Sequence, residues 1–340
     1  MKLRVLDAAD PAGRASWLEA WRAWPEREPM AHPGFAALFG RPEDRVVALA
    51  AGDAKAGWLF PLIVRPLDGG LKDATTPYGY GGAFAWGERD DAAFWAAFAE
   101  WAAQERLVTT FARLSLFPQD LAAPPVPPAE LQANIVVPLA GGKDALWKGY
   151  EGKVRKWVKT AEAAGLTVEV DEKAERLADF MAVYEHTMSR NAASDFYFFK
   201  RSFFESLVSE LAGSFAFFHT LKAGRVVSSD LMLLSRRRAY YFLGGTLDEA
   251  FDDGPNYLLK HRALEWASER GLESFVLGGG VAAGDGLYRY KRAYARDGEV
   301  TFKVLRLTHD EGAARDLEAA RAVKEPGWAP REGFFPRYRG

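Results

Sequence analysis

The sequence predicts an α/β protein with mixed sheets, built as two tandem domains on one plan. Three observations predict it. Two short apolar runs, residues 240–243 and 274–277, each meet glycines and are separated by a helix-patterned stretch. The order helix, helix, hairpin, glycine-bearing strand, helix, strand occurs before the proline run Pro124-Pro125-Val126-Pro127-Pro128 and again after it. The length, 340 residues, accommodates about two domains. A repeat of roughly 150 residues is too long for a solenoid and implies duplicated domains.

In chain order, residues 1–12 read as an edge strand and turn. Trp17, Leu18, Trp21 and Trp24 share one face of a helix that stops at Pro25, and Phe35, Leu38 and Phe39 suggest a shorter one. Residues 45–51 and 56–65 are strand-like and joined around Gly52-Asp53, which reads as a hairpin. A glycine and tyrosine loop, Thr75 to Gly82, includes Tyr78 and Tyr80. A helix over 92–105 and a strand over 107–117 complete the first half. The proline run is stiff, extended punctuation. The domains are expected over 1–135 and 136–310, with a tail, 311–340, packing back on the first domain.

The second half opens with a strand over 134–139. One helix is expected from Trp147 to Lys159, dense in cations. Lys153, Arg155 and Lys156 are candidate donor or phosphate ligands there, because clustered cations attract polyphosphates and RNA backbones. The alternative is a solvated face whose aliphatic stems cover apolar surface. Leu177, Phe180, Met181, Tyr184 and Met188 form a core stripe, and Phe203, Phe204, Leu207 and Leu211 a further helix. A second hairpin, 215–221 with 225–234, turns around Ala223-Gly224.

The most informative stretch is 240–294. A strand over 240–243 meets Gly244-Gly245-Thr246, and Asp253-Gly254-Pro255 looks like a capped helix start. A strand over 274–277 meets Gly278-Gly279-Gly280, and a helix over 287–294 carries Lys291. Glycines at two strand ends let backbone approach a ligand closely. In open α/β sheets, ligands favour the crevice beyond the carboxyl ends of strands. Tyr241, Gly244, Gly245, Gly278 and Gly279 are therefore candidate substrate contacts, with Lys291 reaching back toward them. Asp230 stands in an apolar strand, where Asp is disfavoured. It is a base, a carboxylate that orients the amine, or a carboxylate exposed or satisfied by a hydrogen bond. Asp285 reads as a helix cap.

Composition narrows the function. Net charge is −2, so the whole chain is not a general nucleic-acid binder. No cysteine is present, which excludes disulfides and thiolate metal sites. Five scattered histidines lack ligand spacing, so no metal is expected. No signal-peptide core or membrane-length apolar run is present, and a soluble cytoplasmic protein is expected, with peripheral membrane contact still open.

The later half resembles a GNAT acyltransferase unit, and the whole chain resembles the FemABX-like family of two tandem GNAT-type domains. The matching pieces are Lys153-Val154-Arg155-Lys156, Thr187-Met188-Ser189-Arg190, Tyr241-Phe242-Leu243-Gly244-Gly245-Thr246, Gly254-Pro255-Asn256, Gly286 to Tyr294 (with Tyr288 and Lys291), and Tyr78 to Gly82. The resemblance implies transfer of an aminoacyl group, typically from aminoacyl-tRNA, to an amine such as that of a peptidoglycan precursor or another peptide. It implies no tightly bound cofactor. A lysine matching Lys291 is expected to face the reacting carbonyl or a substrate phosphate, and an arginine matching Arg190 to bind the acceptor. Asn256, Tyr288, Tyr78 and Tyr80 join the candidate substrate contacts on this basis. No charged heptad segment suggests the coiled-coil arm found in some members.

The chemistry this implies is acyl transfer from an ester or thioester to an amine. A cation or backbone N–H must meet the tetrahedral oxyanion, and one such donor is worth roughly 3–4 kcal/mol. An acyl-CoA donor is the alternative, disfavoured by the acidic loop Asp248-Glu249-Ala250-Phe251-Asp252-Asp253, which would repel a pyrophosphate. A non-catalytic protein binding a peptide or nucleotide-sugar is the alternative of a different class.

Overall fold

A computed structural model describes residues 1–191 and 193–340. The first strand, β1 (Arg4–Asp7), ends where the Asp7 carboxylate accepts from the Ala9 N–H and from Arg45. Asp10 then caps α1 (Pro11–Ala23) by accepting from Gly13 N, with Pro11 in the first turn. Helix α1 buries Trp17 and Trp21, whose indole N–H groups donate to the carbonyls of Ala31 and Glu28. A short α2 (Pro33–Ala37) follows. Strands β2 (Arg45–Gly52) and β3 (Gly57–Pro66) form the expected hairpin. Its turn requires Gly52, at φ +83, where a Cβ would lie 2.1 Å from the Ala56 carbonyl oxygen. After these come β4 (Lys72–Thr75), β5 (Phe84–Trp86), α3 (Asp91–Gln104) and β6 (Leu107–Arg113).

The next elements are β7 (Ala129–Pro138), α4 (Gly142–Gly149), α5 (Gly152–Ala163), β8 (Thr167–Asp171), α6 (Leu177–Arg190) and α7 (Arg201–Glu210). They are followed by β9 (Phe215–Lys222), β10 (Arg225–Leu234), β11 (Arg238–Thr246), α8 (Pro255–Glu269), β12 (Ser274–Gly278) and α9 (Gly286–Arg292). Strand β13 (Glu299–Thr308) and α10 (Glu311–Lys324) close the chain.

The chain forms two compact units, one of residues 1–131 with 302–340, the other of residues 132–301. Within the first unit the strand order is β1-β2-β3-β4-β6-β13, antiparallel except for the parallel pair β4–β6. Within the second it is β8-β9-β10-β11-β12-β7, antiparallel except for the parallel pair β11–β12. The two orders are the same plan, a pair of GNAT-like units in tandem. The last strand of the first unit, β13, comes from the C-terminal part of the chain, whereas that of the second, β7, opens the unit's own segment. Val304–Thr308 of β13 pairs with β6, and Ile135–Pro138 of β7 pairs with β12.

The pairing of β13 with β6 explains why the units differ from the expected spans. The register of β13 places 302–308 with the first unit rather than the second. The tail belongs to that unit too. Tyr338 bonds Thr109 and Asp73, Arg339 pairs with Asp73, and Lys324 pairs with Asp68.

Three local expectations are corrected. The cationic helix is two helices, α4 and α5, broken at Tyr150-Glu151. Gly149 and Gly152 flank the break, and burial of the Tyr150 ring against His261 sets it, with Oη to Nδ1 at 3.2 Å. Helix α8 is not capped by Asp253, which pairs instead with Lys222. Gly254 holds the cap position in the left-handed conformation, φ +67. Gly244 and Gly245 do not terminate their strand. They continue β11 in register with β10, Gly244 opposite Asp230 and Gly245 opposite Ser229.

Candidate active site

Within the second unit, β11 and β12 run parallel only from Arg238 and Ser274 to Tyr240 and Val276. Beyond that point they part. A register shift at Leu231/Met232 leaves Phe242 unmatched and keeps β11 on β10, while β12 shifts its own register against β7. Tyr241 is the first β11 residue past this fork.

Three charged side chains from three elements gather around the Tyr241 ring: Asp230 of β10, Lys260 of α8 and Lys291 of α9. They are 7%, 4% and 6% exposed, so each requires compensation from its neighbours. Lys260 Nζ donates to Asp230 Oδ2 at 2.5 Å and lies 3.6 Å from the Tyr241 ring centre. Lys291 Nζ donates to the Gly279 carbonyl at 2.7 Å and lies 5.2 Å from the same ring. That carbonyl is the one hydrogen-bond partner of the Lys291 amine among the described residues.

Backbone chemistry makes this cluster possible. A Cβ on Gly244 would lie 1.9 Å from Asp230 Oδ1, so only glycine there admits the carboxylate. Asp285 caps α9, accepting from Tyr288 N at 2.7 Å and from the N–H groups of Val281 and Ala282 at 2.7 and 2.9 Å. The short helix is thereby fixed at its start, and Lys291 sits just over one turn beyond it.

Burial governs the protonation of the cluster. It pushes the Lys291 amine down to about 7, and the Lys260 charge adds to the effect, while Asp230 and Asp285 oppose it. Burial raises the Asp230 carboxyl above the ordinary carboxylate range against the pull of Lys260. It lowers Lys260 against the pull of Asp230.

Tyrosines wall the cluster. Tyr290 Oη donates to the Asn256 carbonyl at 3.1 Å and lies 3.2 Å from Tyr294 Oη. Tyr257 packs edge-on to Tyr290 and is stacked by Trp157.

The sequence-predicted residues fall into groups. Lys291, Asp230, Tyr241, Gly244 and Gly279 come together, with Asn256 joined through its carbonyl. Gly278 ends β12 at φ +79. Gly245 faces Thr187 of α6, whose Oγ1 would lie 2.3 Å from a Cβ at that position. Arg190, at the end of α6, donates to the Thr246 carbonyl at 2.8 Å and lies over the Phe251 ring. Tyr288 bonds Glu299. Lys153 and Lys156 are exposed on α5, Lys153 within 3.4 Å of Glu151. Arg155 turns to the Tyr150 and Trp147 carbonyls at the end of α4. Tyr78 and Tyr80 belong to the first unit, packed against Phe39 and Phe302. In the acidic loop Glu249 meets Arg225 and Asp253 meets Lys222, so two of the four carboxylates face a Lys or Arg, while Asp248 meets His186.

Sequence reasoning missed Lys260. The signal was available: it shares a helical face with Ala263, Leu264 and Ala267, all buried, so it is a lysine in a core position.

A family model described as an acetyltransferase (GNAT) domain matches residues 152–292, which contain the whole cluster. This part of the chain is a GNAT-like acyltransferase domain. No curated protein sequence matches the chain. Among solved structures, FemX is similar over 93% of this chain and 99% of its own, at 13% identity and a TM-score of 0.66. The fold is FemABX-like. A second match is the C-terminal domain of a lysylphosphatidylglycerol synthetase candidate from Agrobacterium fabrum, with TM-score 0.57, 14% identity, and 91% and 97% of the two chains covered. A tandem GNAT protein from the clavulanic acid biosynthesis pathway matches at TM-score 0.50 and 14% identity over 92% and 100%. No helix among the described residues is long and apolar enough to cross a membrane.

Proposed function

We propose that this chain transfers an aminoacyl group from aminoacyl-tRNA to an amine, on a peptidoglycan precursor or another peptide. One observation carries the reading. Lys291 is a buried amine at the fork of β11 and β12, held by a single backbone carbonyl among the described residues. The likeness in fold to FemX, and the GNAT domain that contains the fork, support it.

In this reading the acceptor amine attacks the ester carbonyl beside Lys291, and the Lys291 ammonium faces the developing oxyanion. A cation so placed is worth roughly 3–4 kcal/mol in the transition state. Asp230, engaged by Lys260, orders the site rather than abstracting a proton. Lys153 and Lys156 are the exposed cations available to the donor's phosphates, and Arg190 lies at the end of α6 for the acceptor. The protein works without a tightly bound cofactor. The test is incubation with bulk tRNA charged with labelled amino acids and an amine-bearing precursor peptide. Label in the peptide supports the reading; label remaining on tRNA with every amino acid overturns it.

A second reading, an acyl-CoA donor, is favoured by two observations. The matched domain is described as an acetyltransferase, and two of the four carboxylates of residues 248–253 that would repel a pyrophosphate are paired with Lys or Arg. Calorimetry with CoA and with charged tRNA separates the two, because only the true donor gives saturable heat.

A further inference from the structure

Lys260 fills a position where its helix otherwise presents small and apolar side chains to the core. An ammonium 4% exposed needs a partner, and Asp230 provides it at 2.5 Å. The charge of Asp230 also reaches Lys291, yet its hydrogen bond goes to Lys260. Lys291 is left with a neutral carbonyl at 2.7 Å. One carboxylate thus stands between two buried lysines and is bound by one of them, with the Tyr241 ring beside both amines.

We propose that Lys260 is a positioning residue for Lys291: by holding Asp230, it keeps the Lys291 amine out of an ion pair and able to carry the proton of the reacting amine. This rests on the acyl-transfer reading above. As the acceptor nitrogen adds to the donor carbonyl, the N–C bond forms and the C=O pair moves to oxygen. The nitrogen's proton passes to neutral Lys291, whose new ammonium faces the oxyanion. Collapse breaks the bond to the leaving oxygen, and the proton goes to that oxygen, restoring the neutral amine. A Lys291 held near 7 exists in both forms at neutral pH, in agreement with this cycle. The charges that reach Lys291 are Lys260 on α8, Asp230 on β10 and Asp285 before α9, with the Tyr241 phenol on β11 beside it.

Competitive labelling of the full chain with acetic anhydride across pH, read by mass spectrometry of the Lys291 peptide, tests the proposal. Wild type titrates near 7. In Lys260→Met the repelling cation is gone and Asp230 is released to Lys291, so the midpoint rises by at least about one unit. In the double variant Lys260→Met/Asp230→Asn no carboxylate is released, so the midpoint lies below that of Lys260→Met. Lys260→Arg keeps the charge and stays near wild type. Simple loosening of the site would leave the double variant at least as high as Lys260→Met, toward the ordinary lysine value of about 10.4. A rise in Lys260→Met that the double variant reverses supports the proposal, whereas no rise, or a rise that the double variant keeps, overturns it. If Lys260→Met does not fold, Lys260→Gln, which also removes the cation, is read against its own double variant with the same two outcomes. The labelling uses no donor or acceptor, so its failure is distinct from failure of the transfer assay.

Discussion

Lys260 Nζ and Asp230 Oδ2 meet at 2.5 Å inside the second unit, both side chains less than a tenth exposed. Each charge is tolerable there only because of the other. Removing one partner strands its mate, at a cost of about 3–5 kcal/mol, whereas replacing both with apolar residues of similar volume is close to neutral. Lys260→Met and Asp230→Leu are each expected to unfold at markedly lower urea, and the double variant to recover most of the loss. Equal, additive losses in the cycle would show that the pair is not coupled.

Gly244 is bound to the same carboxylate by sterics. A methyl at this position meets Asp230 Oδ1 at 1.9 Å and the Ser229 carbonyl oxygen at 2.9 Å, both on the neighbouring strand β10. Gly244→Ala is expected to cost roughly 3 kcal/mol by displacing Asp230 from its partner. In an Asp230→Ala background, where the pair is already lost, the same substitution costs at least about 1 kcal/mol less. Chemical denaturation of the four proteins measures that coupling.

Acid stability is set partly in the first unit. His32 is buried, accepts from Gly34 N at 3.1 Å and packs edge-on to Trp21. Burial, helped by the charges of Arg14 and Arg22, pushes its imidazole down to about 4. The folded state therefore resists a proton that the unfolded chain accepts near 6.5. Its stabilising contribution is complete above about 6.5 and is lost as pH falls from there toward 4, by about 3 kcal/mol. His32→Asn keeps a side-chain acceptor for the helix start and removes the titration. Thermal melts between pH 4 and 7 are expected to show a shallower acid slope in this variant than in wild type.

Much of this arrangement was legible from residues alone. The two hairpins, the repeated order of elements and the Asp285 cap follow from local turn chemistry and periodicity, which act over a few residues. Lys291 was visible because glycines precede its helix. Lys260 was not, because its partner lies 30 residues away on another element and only tertiary packing makes a lysine tolerable in a core stripe. The break at Tyr150 was hidden for the same reason. The helix-forming sequence on both sides gives way to burial of one ring against His261. Gly244 was read as a strand end because a glycine's missing side chain does not reveal which neighbour needs the space. Here it is Asp230, across the ladder. The return of β13 to the first unit depends on a pairing partner far away in sequence, which no local pattern encodes.

The central claim is that the Lys291 amine stabilises the oxyanion of acyl transfer. Single-turnover transfer by Lys291→Met, in protein shown to be folded by circular dichroism and saturated with the donor and acceptor that wild type uses, tests it most directly. The account predicts a fall in the transfer rate of roughly 10²–10³-fold with donor binding retained. Transfer at the wild-type rate by the folded variant would contradict it.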